Sequence, residues 1–280
     1  MAEDALLRLE AVLLTARRRL EWRRRLATVL APSVAVLVLL LFWEYGARLF
    51  AIPPYLLPGP QVVLASMREN AAALWTQGLV TTWEIVLGFA LSVAVGLPLA
   101  LAIFLWQPFA RAVYPLMIAS QAMPKVAVAP LFLVWFGFGL LPKVLIGFLI
   151  CFFPIVINTV MGLHGIEREK IYLAQSMGLG SAATFFKIRL PNALPAIFGG
   201  LKIAITLAVV GAVVGEFVGG DAGLGYLLIT ANGNMDTALL FAGIVCLTVI
   251  GVVLFLLVEL AERLLLPRHA VGGGAARDAA

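Results

Sequence analysis

The sequence predicts an all-α polytopic membrane protein with six transmembrane helices and both termini in the cytoplasm. Three observations predict it: the composition, six long apolar stretches, and the placement of Lys and Arg. Of 280 residues, 62% are hydrophobic and 12% charged, with a mean hydropathy of +1.04. Soluble chains run at roughly 45–50% apolar and about 25% charged. Six spans of about 20–25 residues need roughly 120–150 residues, which this chain supplies with short loops to spare. A soluble enzyme, a disordered chain and a secreted disulfide scaffold are excluded.

The first element is the basic segment 1–26. Arg17, Arg18, Arg19, Arg23, Arg24 and Arg25 stand among Leu6, Leu9, Leu13 and Leu20 at near-helical spacing. It reads equally as an amphipathic helix on an anionic leaflet and as a charge cluster that orients the first span. The net charge of +5 and pI of 9.5 are accounted for by that placement rather than by nucleic acid. The run continues through Phe42, Trp43, Glu44 and Tyr45 without a small-residue cleavage site, so it reads as an uncleaved span.

The apolar stretches are 27–50, 79–105, 112–139, 143–162, 193–218 and 238–262. Between the first two, Pro53, Pro54, Pro58 and Pro60 predict an extended linker leading into a short interfacial helix. With the N-terminus inside, fifteen Lys and Arg face the cytoplasm and three (Arg48, Arg68 and Lys143) face outside, while Lys125 and Lys202 lie at membrane depth. That asymmetry sets the orientation. The last outer loop, Glu216 to Asp236, carries acids and no base, and 267–280 reads as a flexible cytoplasmic tail. Residues 27–266 form the transmembrane domain.

The inner loop 163–192 is the informative connection. Good helix formers from Glu167 to Met177 place Ile171, Ala174 and Met177 on one face, and Gly178 and Gly180 follow as a stop. A second short helix from Ser181 to about Ile188 has Phe185, Phe186 and Ile188 as its apolar side, and Pro191 is placed to start the next span. On the residues alone, this is either a loop that docks in a groove on a partner or an ordinary amphipathic interfacial loop.

Here the sequence resembles the permeases of binding-protein-dependent ABC importers. Gly178, Ile188, Leu190 and Pro191 stand at the spacing Gly-x9-Ile-x-Leu-Pro of their EAA loop, while Tyr172, Leu173 and Ala174 occupy the Glu-Ala-Ala positions, keeping only the last alanine. Pro124 through Gly139, then Phe153, Pro154, Asn158 and Thr159, and later Gly223, Gly225 and Tyr226, resemble the nitrate, sulfonate and taurine branch. Thiamine-precursor permeases of the same branch are nearly as similar. The resemblance covers about residues 52–269. It implies a type I ABC importer permease in the bacterial cytoplasmic (inner) membrane, working as two copies, expected to be a homodimer, with ABC ATPases docked at Ala174, Gly178, Phe185, Phe186, Ile188, Leu190 and Pro191. An external solute-binding protein would deliver the solute, either a small anion or a vitamin precursor. The chain has no Gly-x4-Gly-Lys-Ser/Thr loop. ATP and Mg are therefore expected in the partner, with no cofactor here and no catalytic residue.

Ionisable groups inside a membrane mark functional candidates because they are costly in lipid. Lys125 stands between Pro124 and Pro130, where a helix break would free carbonyls. It could meet an anionic solute, or it snorkels or pairs with a carboxylate. Lys202 reads as snorkelling and Glu84 as interfacial. Glu216, with Gly223 and Gly225 beyond it, is a gate candidate, against capping or exposure. Gly211, Gly215 and Gly219 make a small-residue packing face. Cys151, Cys246, His164 and His269 lack metal-ligand spacing, so no metal site is expected. The competing function is an ion-gradient-driven secondary transporter, which would favour inverted repeats and a midplane carboxylate.

Overall fold

Long apolar runs become long helices because lipid leaves backbone amides no partner but their own chain. The computed structural model describes residues 30–266 apart from Pro32. The basic segment 1–26 and the tail 267–280 lie outside the described residues. The described chain is all-helical and falls into two compact units divided between Ala65 and Ser66.

In the first unit, helix α1 covers residues 33–49, with Arg48 paired to Glu44 one turn earlier. The chain then turns through the proline-rich segment, where the Leu56 amide donates to the Pro53 carbonyl at 2.9 Å. Helix α2, Pro60–Glu69, runs across the boundary into the second unit and starts on a proline whose missing N–H costs nothing at that position. This is the expected linker and short helix.

The second unit holds α3 (Ala71–Leu105), α4 (Gln107–Gln121), α5 (Lys125–Phe136), α6 (Leu140–His164), α7 (Arg168–Ser176), α8 (Ser181–Thr184), α9 (Leu190–Gly219), α10 (Leu224–Gly233) and α11 (Thr237–Leu265). A π-helical stretch, Phe185–Arg189, joins α8 to α9. Among the described residues, four helices are long and apolar enough to cross a membrane, and a bent pair makes up to five.

That pair divides the expected span 112–139 at the prolines where the sequence offers a helix break. Helices α4 and α5 meet at 98°. Pro124 lacks an amide hydrogen and pushes Met123 out of helical geometry, so the break falls just ahead of Lys125. A correction concerns Glu216 to Asp236: Glu216 lies inside α9, and residues 224–233 form α10 instead of loop. The Asp236 carboxylate then caps α11 by accepting from the Leu239 amide at 2.9 Å.

Helix α6 is the most enclosed of the four long helices, and α3 and α9 pack on it. Helices α6 and α9 run antiparallel with glycines at the contact. A Cβ on Gly211 would stand 2.7 Å from Gly147 Cα, one on Gly200 2.7 Å from Asn158 Cβ, and one on Gly162 2.7 Å from Ala196 Cβ. Gly88 of α3 meets the same Gly147 from another side, its Cβ position 3.4 Å away. Three backbones therefore cross at glycines, which supplies the close van der Waals contact that membrane helices need for association. The small-residue face of α9 meets its own chain: Gly211 and Gly215 lie on α6, and Gly219 on Leu133 of α5.

Candidate functional site

Two places in the second unit combine unusual chemistry with defined geometry. They lie at opposite ends of α6 and α9.

The first is the segment after α6. Helix α7 ends in a Schellman arrangement: the Leu179 amide donates to the Ala174 carbonyl at 3.0 Å and the Gly178 amide to the Gln175 carbonyl at 2.9 Å. Gly178 sits at φ +81°, the left-handed region in which a side chain costs about 1–2 kcal/mol. Ala174 is buried, whereas Tyr172, Leu173 and Met177 are exposed apolar side chains. Of the face expected to carry Ile171, Ala174 and Met177, Ala174 is turned into the chain while Met177 stands beyond the last turn and is 72% exposed. Phe185 packs under the loop against Phe104, with ring centroids 6.1 Å apart, and Arg189 lies over the same ring at 5.1 Å. Phe186 points outward and is 66% exposed. Ile188 lies in the π-helical stretch, and Leu190 and Pro191 open α9. Beside the segment is a polar cleft of about 480 Å³ lined by Gln107, His164, Arg168 and Arg189.

The second place is a polar cluster at the other end of the bundle. Lys143 is 3% exposed. Its ammonium donates to Glu84 Oε1 at 2.9 Å and to the Ala222 carbonyl at 3.2 Å, with Asp221 Oδ1 at 3.6 Å. Glu216 is equally buried. Its Oε1 accepts from the Thr81 hydroxyl at 2.6 Å, and its Oε2 accepts from the Gly225 amide. Thr81 accepts the Leu224 amide at 2.7 Å, and Gln77 Oε1 accepts the Gly223 amide at 2.6 Å. Gly223 has φ +111°, and a Cβ there would run into the Glu216 carboxylate, so both backbone and space require glycine. The turn 221–225 is thereby tied to α3 and α6.

Of the gate candidates, Glu216, Gly223 and Gly225 come together here. Lys125, Pro124 and Pro130 do not join them: Lys125 lies over the Phe153 ring at 4.7 Å, a cation–π contact. Lys202 is ion-paired with Glu262 of α11. Reading Lys143 as an exposed outer residue and Glu84 as interfacial missed the cluster. The available signal was that one lysine and two glutamates stand near the same end of three neighbouring spans. Among the described residues no group of three or more His, Cys, Asp or Glu could hold a metal ion.

Comparison with known proteins gives a consistent result. Residues 92–270 match the family described as binding-protein-dependent transport system inner membrane component. A formylaminopyrimidine transport permease of Halalkalibacterium halodurans is 38% identical, over 87% of this chain and 98% of its own. A riboflavin transport system permease of Chloroflexus aurantiacus is 39% identical over 88% and 91%. The taurine transport system permease of Escherichia coli is 31% identical over 90% and 94%. Among solved structures, a chain of the inward-facing MetNI methionine ABC transporter superposes with a TM-score of 0.58 at 18% identity, covering 70% of this chain and 97% of its own.

Proposed function

The chain belongs to the inner membrane components of binding-protein-dependent transport systems, and from that premise we propose how it is arranged and what it carries. It is a permease subunit of an ABC importer, a transport component whose ATPase is a separate subunit. The ion-gradient alternative gives way to that assignment.

In our reading the chain makes six spans, α1 first and the bent α4–α5 pair as the third, with both termini cytoplasmic in a bacterial inner membrane. Two copies form the pathway. The segment 163–192 docks on the ATPase, which holds ATP and Mg, and the 221–225 turn faces the external binding protein. Closure of the ATPases draws the two docking segments together and turns the helices to open outward. Hydrolysis resets them.

The observation that carries the docking role is the outward apolar set Tyr172, Leu173, Met177 and Phe186 on a segment otherwise anchored by Ala174 and Phe185. Surface apolar groups held on a rigid bent frame suit a partner groove. For the solute, the vitamin-type relatives at 38% and 39% identity favour a small heterocyclic vitamin or precursor over a sulfonate.

Gly178→Trp tests the docking. A Cβ at Gly178 meets open space, so the indole projects away from this chain and into any partner. The variant is expected to insert normally yet lose solute-stimulated ATPase activity and uptake in proteoliposomes. Gly178→Ala, which carries the same backbone strain without the bulk, retains most of both. Normal stimulated ATPase in the Trp variant overturns the assignment.

A further inference from the structure

Four helix ends converge on the cleft beside the docking segment and make it strongly basic. Gln107 opens α4, His164 closes α6, Arg168 opens α7, and Arg189 ends the π-helical stretch. Among the described residues no Asp or Glu lines this cleft of about 480 Å³. Glu167, next to Arg168 in sequence, is bonded to Lys170 at 3.2 Å instead. The Arg189 guanidinium lies over the Phe104 ring at 5.1 Å, which orients it without neutralising it. The Val160 carbonyl can only accept, so His164 Nδ1, 2.9 Å away, carries a hydrogen, and Nε2 has no partner among the described residues. Two guanidinium groups, an amide and an imidazole thus surround a space of the size of small-molecule sites, roughly 300–1,000 Å³.

We propose that this cleft binds the phosphate of an anionic phospholipid, seated on Arg168 and Arg189. The planar guanidinium fork matches a pair of phosphate oxygens, and a charge-assisted pair of this kind is about twice as strong as a neutral hydrogen bond. The membrane is the source because the cleft is amphipathic. Its apolar side is Phe104 and Ile166. At the same α3–α4 corner Leu105 and Trp106 are 68% and 60% exposed, and Trp106 stacks flat on Phe109 at 5.7 Å. An exposed indole at the end of a long apolar helix marks the headgroup level. A lipid can therefore place its phosphate on the arginines and lay its glycerol and chains along Phe104 and Leu105. Basic pockets between spanning helices on the cytoplasmic side suit such headgroups. The leaflet, and only the leaflet, rests on the orientation proposed above.

The site joins separate parts of the chain. Arg168 belongs to the docking segment, Arg189 to the start of α9, and Gln107 to the α3–α4 corner. A headgroup bound to all three fastens the docking segment to the bundle, so an anionic leaflet sets the position in which α7 is presented to its partner.

Native mass spectrometry of the full chain, with any subunits that purify with it, tests the site. The titrants are phosphatidylglycerol, phosphatidylcholine and inorganic phosphate. The wild type is expected to bind phosphatidylglycerol about tenfold more tightly than phosphatidylcholine, with no displacement by inorganic phosphate. Arg168→Gln and Arg189→Gln are each expected to weaken phosphatidylglycerol about tenfold. Arg111→Gln, which removes the same charge from α4 outside the cleft, keeps the wild-type affinity. Arg189 also packs on Phe104; if its variant fails to fold, Arg168, exposed at the start of α7, decides alone. Equal affinity for the two lipids overturns the proposal, as does an equal loss in Arg111→Gln, which would mean that binding follows net charge. Displacement by inorganic phosphate overturns the membrane source. Release of a co-purifying ATPase from the cleft variants, with lipid affinity unchanged, assigns the arginines to a carboxylate of that subunit and overturns the lipid site. The titration reads lipid and not transport, so it can fail with the docking assignment intact, and Gly178→Trp can fail with the lipid site intact.

Discussion

A lysine 3% exposed within an apolar helix is held by its partners or not at all, and Lys143 has three oxygen partners within 3.6 Å. Removing one member of a buried ion pair typically costs about 3–5 kcal/mol, because the remaining charge is left without compensation. Lys143→Met should therefore lower the thermal unfolding temperature of the purified chain markedly. Adding Glu84→Gln should recover part of the loss, because Glu84 is the buried carboxylate that Lys143 pairs with at 2.9 Å. If the double variant is less stable than either single one, the two residues act separately. None of the three partners of Lys143 was visible from its own neighbourhood. Glu84 stands 59 positions away, and counting positive charges by side of the membrane places Lys143 in an outer loop because Pro142 and the preceding glycines look like one. The structure instead starts α6 at Leu140, which puts Lys143 in the first turn and turns it inward.

The elements themselves were largely legible. Among the described residues each long apolar run became a helix within a few residues, except that 112–139 is divided between α4 and α5 and that α3 begins at Ala71 rather than 79, extended by the alanine-rich segment ahead of the strongly apolar core. The break at Pro124 was legible because one residue type causes it. What one sequence does not carry is which face of α9 meets which helix: Gly199 and Gly211 look alike in it. In the fold they differ. A Cβ on Gly211 would press on Gly147 Cα, whereas one on Gly199 meets nothing within 4 Å. Gly211→Leu should destabilise by at least the ~1–3 kcal/mol of an overpacked core, and should lower the yield of folded chain in detergent. Gly199→Ala should be neutral or slightly stabilising, since alanine is the better helix former by about 1 kcal/mol in water. Equal effects at the two positions would mean that α6 and α9 do not meet along this face.

At the scale of the molecule, the docking segment and the polar cluster are joined by α6 and α9. Helix α6 alone, 25 residues at about 1.5 Å each, spans roughly 38 Å. The two helices meet at Gly162, Gly200 and Gly211 along that length, so they can only move as one body. A displacement imposed at α7 must therefore reach the 221–225 turn as a tilt or rotation, with little to absorb it in between. The α4–α5 pair, bent by 98°, packs on the same body through Met117, Ala129 and Leu133. The arrangement requires the two ends to lie on opposite sides of the membrane, and this can be measured directly. In a background lacking Cys151 and Cys246, Asp221→Cys should react with a membrane-impermeant thiol reagent added to intact spheroplasts. Tyr172→Cys should react only in inverted vesicles. Both side chains are exposed in the fold, at 84% and 63%, and with docked ATPase stripped from the vesicles failure to label reports sidedness and not burial. Labelling of both from the same side would remove the outward orientation of the turn, and with it the delivery of solute to that end of the bundle.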